Sequence, residues 1–333
     1  MAYDSGFLTD VARECPDCLR DESRRVGRAD SVSFPGTEED VKRHLARARD
    51  RRMPVTLQGA RTGITAGAVP EGGHVLNLSR MNRIVGLRRD EAGGGFLVTV
   101  QPGVLLADLR KWLREEAETQ FRESGRLYFF PPDPTEASAS IGGMVACNAS
   151  GARSFHYGAT RNYVAGLRAI LADGCAIELK RGRDKAAGRA FSITADSGRR
   201  IEGRVPAYAM PAVKNAAGYF AANDMDLVDL FVGAEGTLGI VTELELRLVP
   251  MPDSMWGVTA FFPAEAAAVQ FVRTVRALDP LPVALEFFDH GALDLLRRQR
   301  ETNPAFREIA EMPAAWHTAV YVEYHGDSED VVE

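Results

Sequence analysis

No stretch of this sequence is apolar for long enough to cross a bilayer, and the chain carries no excess of positive charge. Its first ten residues, MAYDSGFLTD, lack the basic segment and apolar core of a secretory signal. The 40 basic and 46 acidic residues give a net charge of -6, which argues against a nucleic-acid partner. We therefore predict a cytoplasmic protein without a transmembrane segment, associated with the inner membrane at most peripherally, through a partner.

Cysteine is also scarce, because four residues in a chain of 333 do not make a disulfide framework. Cys15 and Cys18 form the sequence C-P-D-C, but no second pair follows to complete a zinc or cluster site, and no thioredoxin-like strand precedes it. A surface thiol pair is the simpler interpretation, with a redox or metal role as the alternative. Cys147 and Cys175 sit among small or apolar residues, which indicates reduced core positions. We predict no metal site.

What the chain does contain is an unusual glycine-rich stretch between Pro54 and Pro70. A short buried strand, residues 54–57, is followed by glycines every four residues, at Gly59, Gly63 and Gly67. Small residues in this pattern let the backbone curl and bring several N–H groups toward one point, which predicts a site for an anion such as a pyrophosphate. The stretch is neither a P-loop nor the G-x-G-x-x-G fingerprint. A plain glycine-rich turn between two strands is the alternative.

A second stretch of small residues runs from Phe129 to Gly151. Three prolines fix an extended entry, and the only bulky side chains after Asp133 are those of Ile141, Met144 and Val145. Such a segment predicts close approach by a flat molecule or by another backbone. Packing of a helix against a sheet would explain it equally simply.

Periodicity predicts mixed helices and strands up to Pro250. Thr37 and Asp40 resemble a capping box at the start of a helix that ends near Arg52. The other predicted elements are strands at 75–78, 84–87 and 96–100, a helix at 104–118, a hairpin pairing 167–172 with 175–179, and an alternating strand from 240. Residues 119–128 and 181–204 are predicted to be loops.

The pattern changes after Pro250 and Pro252, which make the best domain boundary in the chain. Strands at 256–262, 283–288 and 318–324 and helices at 264–278 and 292–298 predict an antiparallel sheet with helices on one face. We therefore divide the chain into an N-terminal arm (1–30), a central domain (31–250, with lobes 31–102 and 103–250) and an incomplete C-terminal domain (251–333). The fold class is α+β.

Five motifs in this order resemble the FAD-binding domain of the vanillyl-alcohol oxidase and p-cresol methylhydroxylase superfamily, in its FAD-linked oxidase branch. Residues 58–70 are similar to the family's pyrophosphate loop R-G-x-G-T-G-x-x-G-G-x-x-P, and 131–151 to its P-P-D-P-T...I-G-G-N-V-A-T-N-A-G-G segment. Residues 157–174, 214–219 and 233–241 are similar to Y-G-x-T-R-D-Y-V-x-G-L...A-D-G, K-N-x-x-G-Y and G-S-E-G-T-L-G-I-I. The resemblance covers roughly residues 35–300 and implies a two-lobed FAD-binding domain followed by a partial cap domain.

The resemblance also implies which residues hold the cofactor. Those expected to bind the pyrophosphate are Gly59, Ala60, Arg61, Thr62, Gly63, Ile64 and Thr65. Those expected to line the flavin and ribityl chain are Pro132, Asp133, Ser140, Ile141, Gly142, Gly143, Asn148 and Gly151. Glu235, Gly236, Gly239 and Ile240 would flank the cofactor. Ala60, Ala66, Gln58, Met144 and Ser150 depart from the family pattern. No histidine lies between 58 and 70, so the FAD is expected to be noncovalent.

Members of this branch pass a hydride from the α-carbon of a 2-hydroxy acid to flavin N5 while a histidine takes the hydroxyl proton. The late H-x-x-x-D-G-N-x-H-like segment that carries those histidines is not in these residues. His156 and Lys214 are therefore only weak candidates for catalysis. His44 and His74 are predicted to lie on the surface, whereas His290, His317 and His325 are predicted to be structural.

The resemblance implies an FAD-linked 2-hydroxy-acid dehydrogenase or oxidase acting on D-lactate, glycolate or D-2-hydroxyglutarate, here an FAD-binding fragment with a truncated cap that could be inactive alone. Its electron acceptor would be an iron-sulfur subunit or domain, a quinone or an electron-transfer flavoprotein. The alternative is a flavin-bearing electron-transfer subunit of a glycolate-oxidase-like complex, without its own substrate oxidation. Redox-neutral flavin chemistry, as in alkylglycerone-phosphate synthase, is a third possibility.

Overall fold

The computed structural model describes residues 7–91, 93–115, 117–216 and 218–327, with only the backbone described at Glu118. These residues form two compact units. The first unit contains the chain up to Phe130 together with Glu136–Ala149 and Ala159–Pro250, and the second contains Pro131–Thr135, Ser150–Gly158 and the chain from Met251 onward.

The elements are numbered along the chain. The strands are β1 (Ser31–Ser33), β2 (Val55–Gln58), β3 (His74–Asn77), β4 (Ile84–Arg89), β5 (Phe96–Val100), β6 (Tyr128–Phe129), β7 (Val164–Ile170), β8 (Ala176–Lys180), β9 (Ala190–Thr194), β10 (Arg200–Arg204), β11 (Ile240–Pro250), β12 (Ser254–Phe262), β13 (Ala284–Phe288) and β14 (Thr318–Gly326). The helices are α1 (Val11–Glu14), α2 (Glu38–Asp50), α3 (Leu106–Glu115), α4 (Glu118–Glu123), α5 (Ile141–Ala146), α6 (Ser154–Tyr157), α7 (Val228–Phe231), α8 (Glu265–Val275) and α9 (His290–Thr302).

A parallel three-stranded sheet, in the order β1-β3-β2, carries the segment that precedes the glycine-rich loop. β2 pairs with β3 from Val55 opposite His74 to Gln58 opposite Asn77. All four residues of β3 are buried, whereas β2 is buried only at Gln58. The loop therefore leaves the sheet directly after its most buried position.

Helix α2 packs against the same sheet through Val41 and Leu45. Its N-cap is Thr37, whose hydroxyl accepts a hydrogen bond from Asp40 N, while the Asp40 carboxylate accepts one from Thr37 N. The predicted capping box is thus confirmed, and a cap of this kind contributes about 1 kcal/mol to stability.

The larger sheet of the first unit is antiparallel, in the order β4-β5-β11-β7-β8, with β6 also paired to β11. The residues of β11 alternate between buried and half-buried from Ile240 to Val249, as the sequence predicted. β7 and β8 form the predicted hairpin across Asp173 and Gly174. This hairpin brings Ile170 opposite Ile240, at the start of β11.

Two segments predicted to be loops contain regular structure. Residues 118–123 form α4, because the fully buried Phe121 packs its ring 5.1 Å from Phe96 and 5.5 Å from Tyr128. A short polar helix with one buried apolar residue has no hydrophobic periodicity from which the helix could be predicted. Residues 190–204 contain the antiparallel hairpin β9-β10, whose largely exposed strands carry the charged and polar residues that concealed it.

The N-terminal segment is held by apolar packing of its own. Val11 and Cys18 are buried in one cluster with Val32 and Val75. The predictions that His44 and His74 lie on the surface are wrong, because the two residues are 4% and 0% exposed. His74 is a β3 residue whose ring is hydrogen-bonded to the hydroxyls of Ser31 and Ser33, both at 2.8 Å.

The second unit has the predicted antiparallel sheet, in the order β12-β14-β13. Helix α8 packs through Ala268 and Val275 against Val320 and Val322 of β14. Leu293 of α9 packs against Ala319 in a separate cluster. Of the helices in the described ranges, none is long and apolar enough for a membrane span.

Candidate functional site

The glycine-rich loop meets helix α5 at the hydroxyl of Ser140. Ser140 Oγ accepts hydrogen bonds from Ala60 N at 3.2 Å and from Gly143 N at 3.3 Å, so one side chain joins the loop to the start of the helix. A Cβ atom at Gly59 would overlap Ser140 Oγ, and one at Gly142 would lie 2.5 Å from Pro102 Cβ. Glycine at position 59 therefore permits the close approach of the loop to Ser140, and glycine at position 142 permits the close approach of α5 to Pro102.

The outer part of the loop presents its backbone to solvent. Gly63, Ile64 and Thr65 are exposed, and the Ile64 side chain is 77% exposed. Among the described residues, the amides of Thr62, Gly63, Ile64 and Thr65 donate to no protein acceptor. Arg61 and Ala66 have φ angles of 62° and 64°, so the chain turns sharply at both positions. A run of free amides on such a turn is suited to phosphate oxygens.

The end of α5 contacts the third small-residue stretch, 233–239. Gly233 N donates to Val145 O, and Glu235 N donates to Ala146 O, both at 2.9 Å. A Cβ at Gly67 would lie 3.6 Å from Glu235 Oε2, so this stretch also contacts the glycine-rich loop. The three stretches 58–70, 140–148 and 233–239 thus converge within the first unit, and we call them together the glycine-loop site.

Two further predicted residues of this stretch support the convergence. Gly236 has φ of 75°, and a Cβ there would lie 2.7 Å from Leu57 Cδ1. A Cβ at Gly239 would lie 3.0 Å from Ile170 O, just before Ile240 enters β11. Bulk is therefore excluded on the side of the stretch that faces β2 and β7.

A buried ion-pair group behind this site was missed by the sequence reasoning. Asn148, at φ of 47°, accepts a hydrogen bond from Arg161 N at 3.0 Å. The Arg161 guanidinium contacts Asp229, which Arg181 also binds through both carboxylate oxygens at 2.8 and 3.0 Å. Burial lowers the pKa of Arg161, although Asp229 opposes that effect. Arg161 lies in the T-R-N-Y motif, which was the available signal.

The remaining predicted residues lie elsewhere. Pro132, Asp133, Gly151 and His156 belong to the second unit, where a Cβ at Gly151 would overlap Asp133 O. His156 is exposed, with its ring 4.8 Å from that of Tyr157. Lys214 is an exposed residue of the first unit.

The second unit contains a cluster of ionisable groups, the charged cluster, made of Asp133, Arg153, Tyr157, Tyr321, Glu323 and His325. The Glu323 carboxylate accepts hydrogen bonds from Arg153 at 2.7 Å and from Tyr321 at 2.6 Å, and lies 2.6 Å from His325 Nε2. On the other side of its ring, His325 Nδ1 is 2.8 Å from the Tyr157 hydroxyl. Three side chains therefore share a single carboxylate, on a side chain that is 9% exposed, and Tyr157 joins them through His325.

Electrostatics decide the charge state of this cluster. Burial of Glu323 favours the neutral acid, but hydrogen bonds from His325 and Tyr321 and the positive charge of Arg153 outweigh it and lower its pKa to about 2. Burial, and then the hydrogen bond to Glu323, raises the pKa of Tyr321 to about 12. The cluster is therefore an ionised carboxylate that accepts hydrogen bonds from the surrounding donors.

Within the described ranges, no group of three His, Cys, Asp or Glu side chains is arranged to hold a metal.

Comparison with known proteins agrees with this geometry. The family described as FAD binding domain matches residues 29–180, which include the loop and α5. The fold is therefore that of flavoproteins of the p-cresol methylhydroxylase type, and the chain belongs to the FAD-linked oxidase family that its motifs predicted.

Among the relatives, the glycolate oxidase subunit GlcD of Bacillus subtilis is 34% identical over 266 residues, covering 79% of this chain and 46% of that protein. The D-lactate dehydrogenase of Anaerostipes hadrus is 35% identical over 283 residues, covering 82% and 48%. The chain thus spans about half the length of these curated relatives. A solved structure of alkyldihydroxyacetonephosphate synthase has the same fold, with a TM-score of 0.63 at 17% identity, covering 98% of this chain and 55% of that one.

Proposed function

We propose that this chain is the FAD-binding part of an oxidoreductase that oxidises a small 2-hydroxy acid, such as D-lactate, glycolate or D-2-hydroxyglutarate. The observation that carries the proposal is the convergence of three small-residue stretches at the glycine-loop site, with free amides on one of them. The names of the relatives, a glycolate oxidase subunit and a D-lactate dehydrogenase, support the substrate class.

The residues present fit FAD. The amides of residues 62–65 would hold the pyrophosphate, because residues 63–65 are exposed and all four amides have no protein acceptor among the described residues. The glycines of α5 leave room for a ring to approach the backbone. Glu235 is exposed beside the loop, and since a carboxylate repels phosphate and accepts from hydroxyls, we assign it to a sugar hydroxyl. When bound, FAD supplies a hydride acceptor at flavin N5.

We also propose that FAD binds without a covalent bond and that the electrons leave to an acceptor outside the chain: an iron-sulfur subunit or domain, a quinone or an electron-transfer flavoprotein. The absence of histidine from residues 58–70 supports the first part. Acid precipitation of the FAD-loaded chain should leave the flavin in the supernatant. Flavin that stays with the precipitated protein would contradict a noncovalent site.

Anaerobic titration of the FAD-loaded chain tests the proposed activity. We expect the flavin absorbance to bleach with at least one of the three 2-hydroxy acids and not with pyruvate or 2-oxoglutarate, the oxidised forms of D-lactate and D-2-hydroxyglutarate, because their α-carbons carry no hydrogen. Retention of the oxidised flavin spectrum with all three acids would contradict substrate oxidation by this chain. A flavin that binds but never bleaches would instead favour electron transfer or redox-neutral chemistry.

A further inference from the structure

The C-P-D-C sequence near the N-terminus places two thiols in contact. Cys15 immediately precedes a 3-10 turn, Pro16–Leu19, and Cys18 lies within it, with the two sulfur atoms 2.6 Å apart. Cys18 is 1% exposed in the apolar cluster with Val11 and Val32, whereas Cys15 is half-buried. A reagent in solution can therefore reach Cys15 first.

This turn is bonded to Gln58 at the start of the glycine-rich loop, and Gln58 is in turn bonded to the far end of the loop. Gln58 Nε2 donates to Cys18 O at 2.8 Å and to Ala68 O at 2.7 Å. Gln58 is 2% exposed and immediately precedes Gly59, so its amide ties the cysteine turn to the first and last parts of the loop. Glu22 N adds a third connection, to Arg61 O at 3.3 Å.

We propose that Cys15 and Cys18 form a reversible dithiol–disulfide site, and that closing the disulfide weakens FAD binding at the neighbouring loop. The second half of this proposal rests on the FAD site proposed above. The first half stands on the position of the two thiols alone.

The oxidant required is a low-molecular-weight disulfide. The Cys15 thiolate attacks one sulfur of the oxidant, the sulfur–sulfur bond of the oxidant breaks, and one thiolate leaves. Cys18 then loses its proton and attacks Cys15 Sγ in the mixed disulfide, which expels the second thiolate. Two electrons pass from the cysteines to the oxidant, and their two protons end on the released thiols. Burial and the hydrogen bond with Cys15 raise the pKa of Cys18 to about 12, which favours Cys15 as the attacking group.

Closure changes the geometry of the turn. A disulfide needs a sulfur–sulfur distance of about 2.05 Å and a Cβ–S–S–Cβ dihedral near 90°. The sulfurs are 2.6 Å apart as thiols, so closure draws them together, and we expect Cys18 O to shift relative to Gln58 Nε2. Because Gln58 also holds Ala68 O, this movement reaches the phosphate-binding part of the loop. We expect about tenfold weaker FAD binding in the disulfide form.

Peptide mapping of the full chain tests the disulfide. After treatment with oxidised glutathione and alkylation with N-ethylmaleimide, tryptic peptide 14–20, ECPDCLR, should carry no alkyl group, and after dithiothreitol it should carry two. Cys147 and Cys175 are exposed and half-buried rather than in the core as predicted, and their peptides are internal controls: each should be recovered alkylated or carrying one glutathione, with no disulfide within the peptide. In C15S the remaining Cys18 cannot close this bond. An ECPDCLR peptide that is alkylated at both cysteines after oxidation would overturn the disulfide.

Flavin fluorescence of the same samples tests the coupling. The reduced chain should bind FAD about tenfold more tightly than the oxidised chain, and C15S should bind equally before and after oxidation. By linkage, FAD should then raise the reduction potential of the pair by about 30 mV. Equal FAD affinity of the dithiol and disulfide forms would overturn the coupling. Failure of the reduced chain to bind FAD would overturn both the coupling and the FAD site, while the peptide mass still decides whether the disulfide forms.

Discussion

The glycine-loop site and the charged cluster are built from different kinds of chemical group. The first consists of backbone amides and residues without bulk, joined by the hydroxyl of Ser140. The second consists of long ionisable side chains gathered around the carboxylate of Glu323. The contrast shows two ways to prepare a polar site: one leaves donors free for a ligand, and the other satisfies its donors internally.

The largest effect is expected from G59V. A side chain at Gly59 overlaps Ser140 Oγ, so the loop must move away from α5, and we expect FAD affinity to fall at least 100-fold in a fluorescence titration. G86V is the matched control, because a Cβ at Gly86 meets nothing within 4 Å and the residue does not have a positive φ. Equal FAD affinity of G59V and the unchanged chain would contradict the predicted packing of the site.

The charged cluster should respond to E323Q mainly through stability. Removing the negative charge leaves Arg153 and His325 without the carboxylate that they share, and we expect the free energy of unfolding to fall by about 2 kcal/mol at pH 7. Denaturation followed by the fluorescence of Trp256 and Trp316 measures it. E286Q, at an exposed position of β13, should change little. Similar losses in the two variants would show that the cluster contributes no more than a surface charge.

The lowered pKa of Glu323 predicts that the free energy of unfolding depends on pH. The pKa of Glu323 falls from an ordinary 4.5 to about 2 on folding, so the stabilisation is complete above pH 4.5 and is lost as the pH falls toward 2. E323Q should lack this part of the acid transition. An unchanged stability profile of E323Q between pH 4.5 and pH 2 would contradict the assignment.

The pKa of His74 tests the effect of burial on a titrating group, whereas the pKa of Glu323 tests the effect of its hydrogen-bonded and charged neighbours. Burial, and then the charges of His44 and Arg47, lower the pKa of His74 from 6.5 to about 4. The unfolded chain therefore binds more protons between these values, and stability is lost as the pH falls through them, by roughly 2 kcal/mol between pH 7 and pH 5. H74Q should reduce this loss in urea denaturation, and H290Q, at an exposed histidine, should not. Equal pH profiles of H74Q and H290Q would contradict the depressed pKa.

The smallest expected effect is that of S140A. It removes one acceptor shared by Ala60 N and Gly143 N without adding bulk, and we expect about tenfold weaker FAD binding, which corresponds to about 1.4 kcal/mol. S138A, at an exposed neighbouring residue, should bind FAD as the unchanged chain does. A loss in S138A as large as that in S140A would show that the hydroxyl bridge is not specific.

The glycine-loop site could be predicted because its signal lies in short stretches of the sequence. Gly59, Gly63 and Gly67 are spaced within one loop, and the I-G-G of α5 follows a proline-rich entry. Strands with one buried face could also be predicted, because buried and half-buried residues alternate along them, as in β11. Backbone geometry of this kind restricts which residues are allowed, so it leaves a local pattern.

The charged cluster and the N-terminal packing could not be predicted in the same way. Arg153 and Glu323 are 170 positions apart, and nothing near either residue signals the other. His74 follows two glycines and so resembles an exposed turn residue, yet pairing with β2 and β1 places it inside the sheet. Helix α4 was hidden because one aromatic residue, Phe121, anchors it. Tertiary contacts between distant residues decided each of these cases.

The most direct test of the account is titration of the dithiothreitol-reduced, cofactor-free chain with FAD, followed by flavin fluorescence. We expect saturable binding of one FAD per chain, strongly weakened in G59V and retained in G86V. A folded chain that binds no FAD, or that binds it equally well with valine at position 59, would contradict the central claim that the glycine-loop site holds the cofactor.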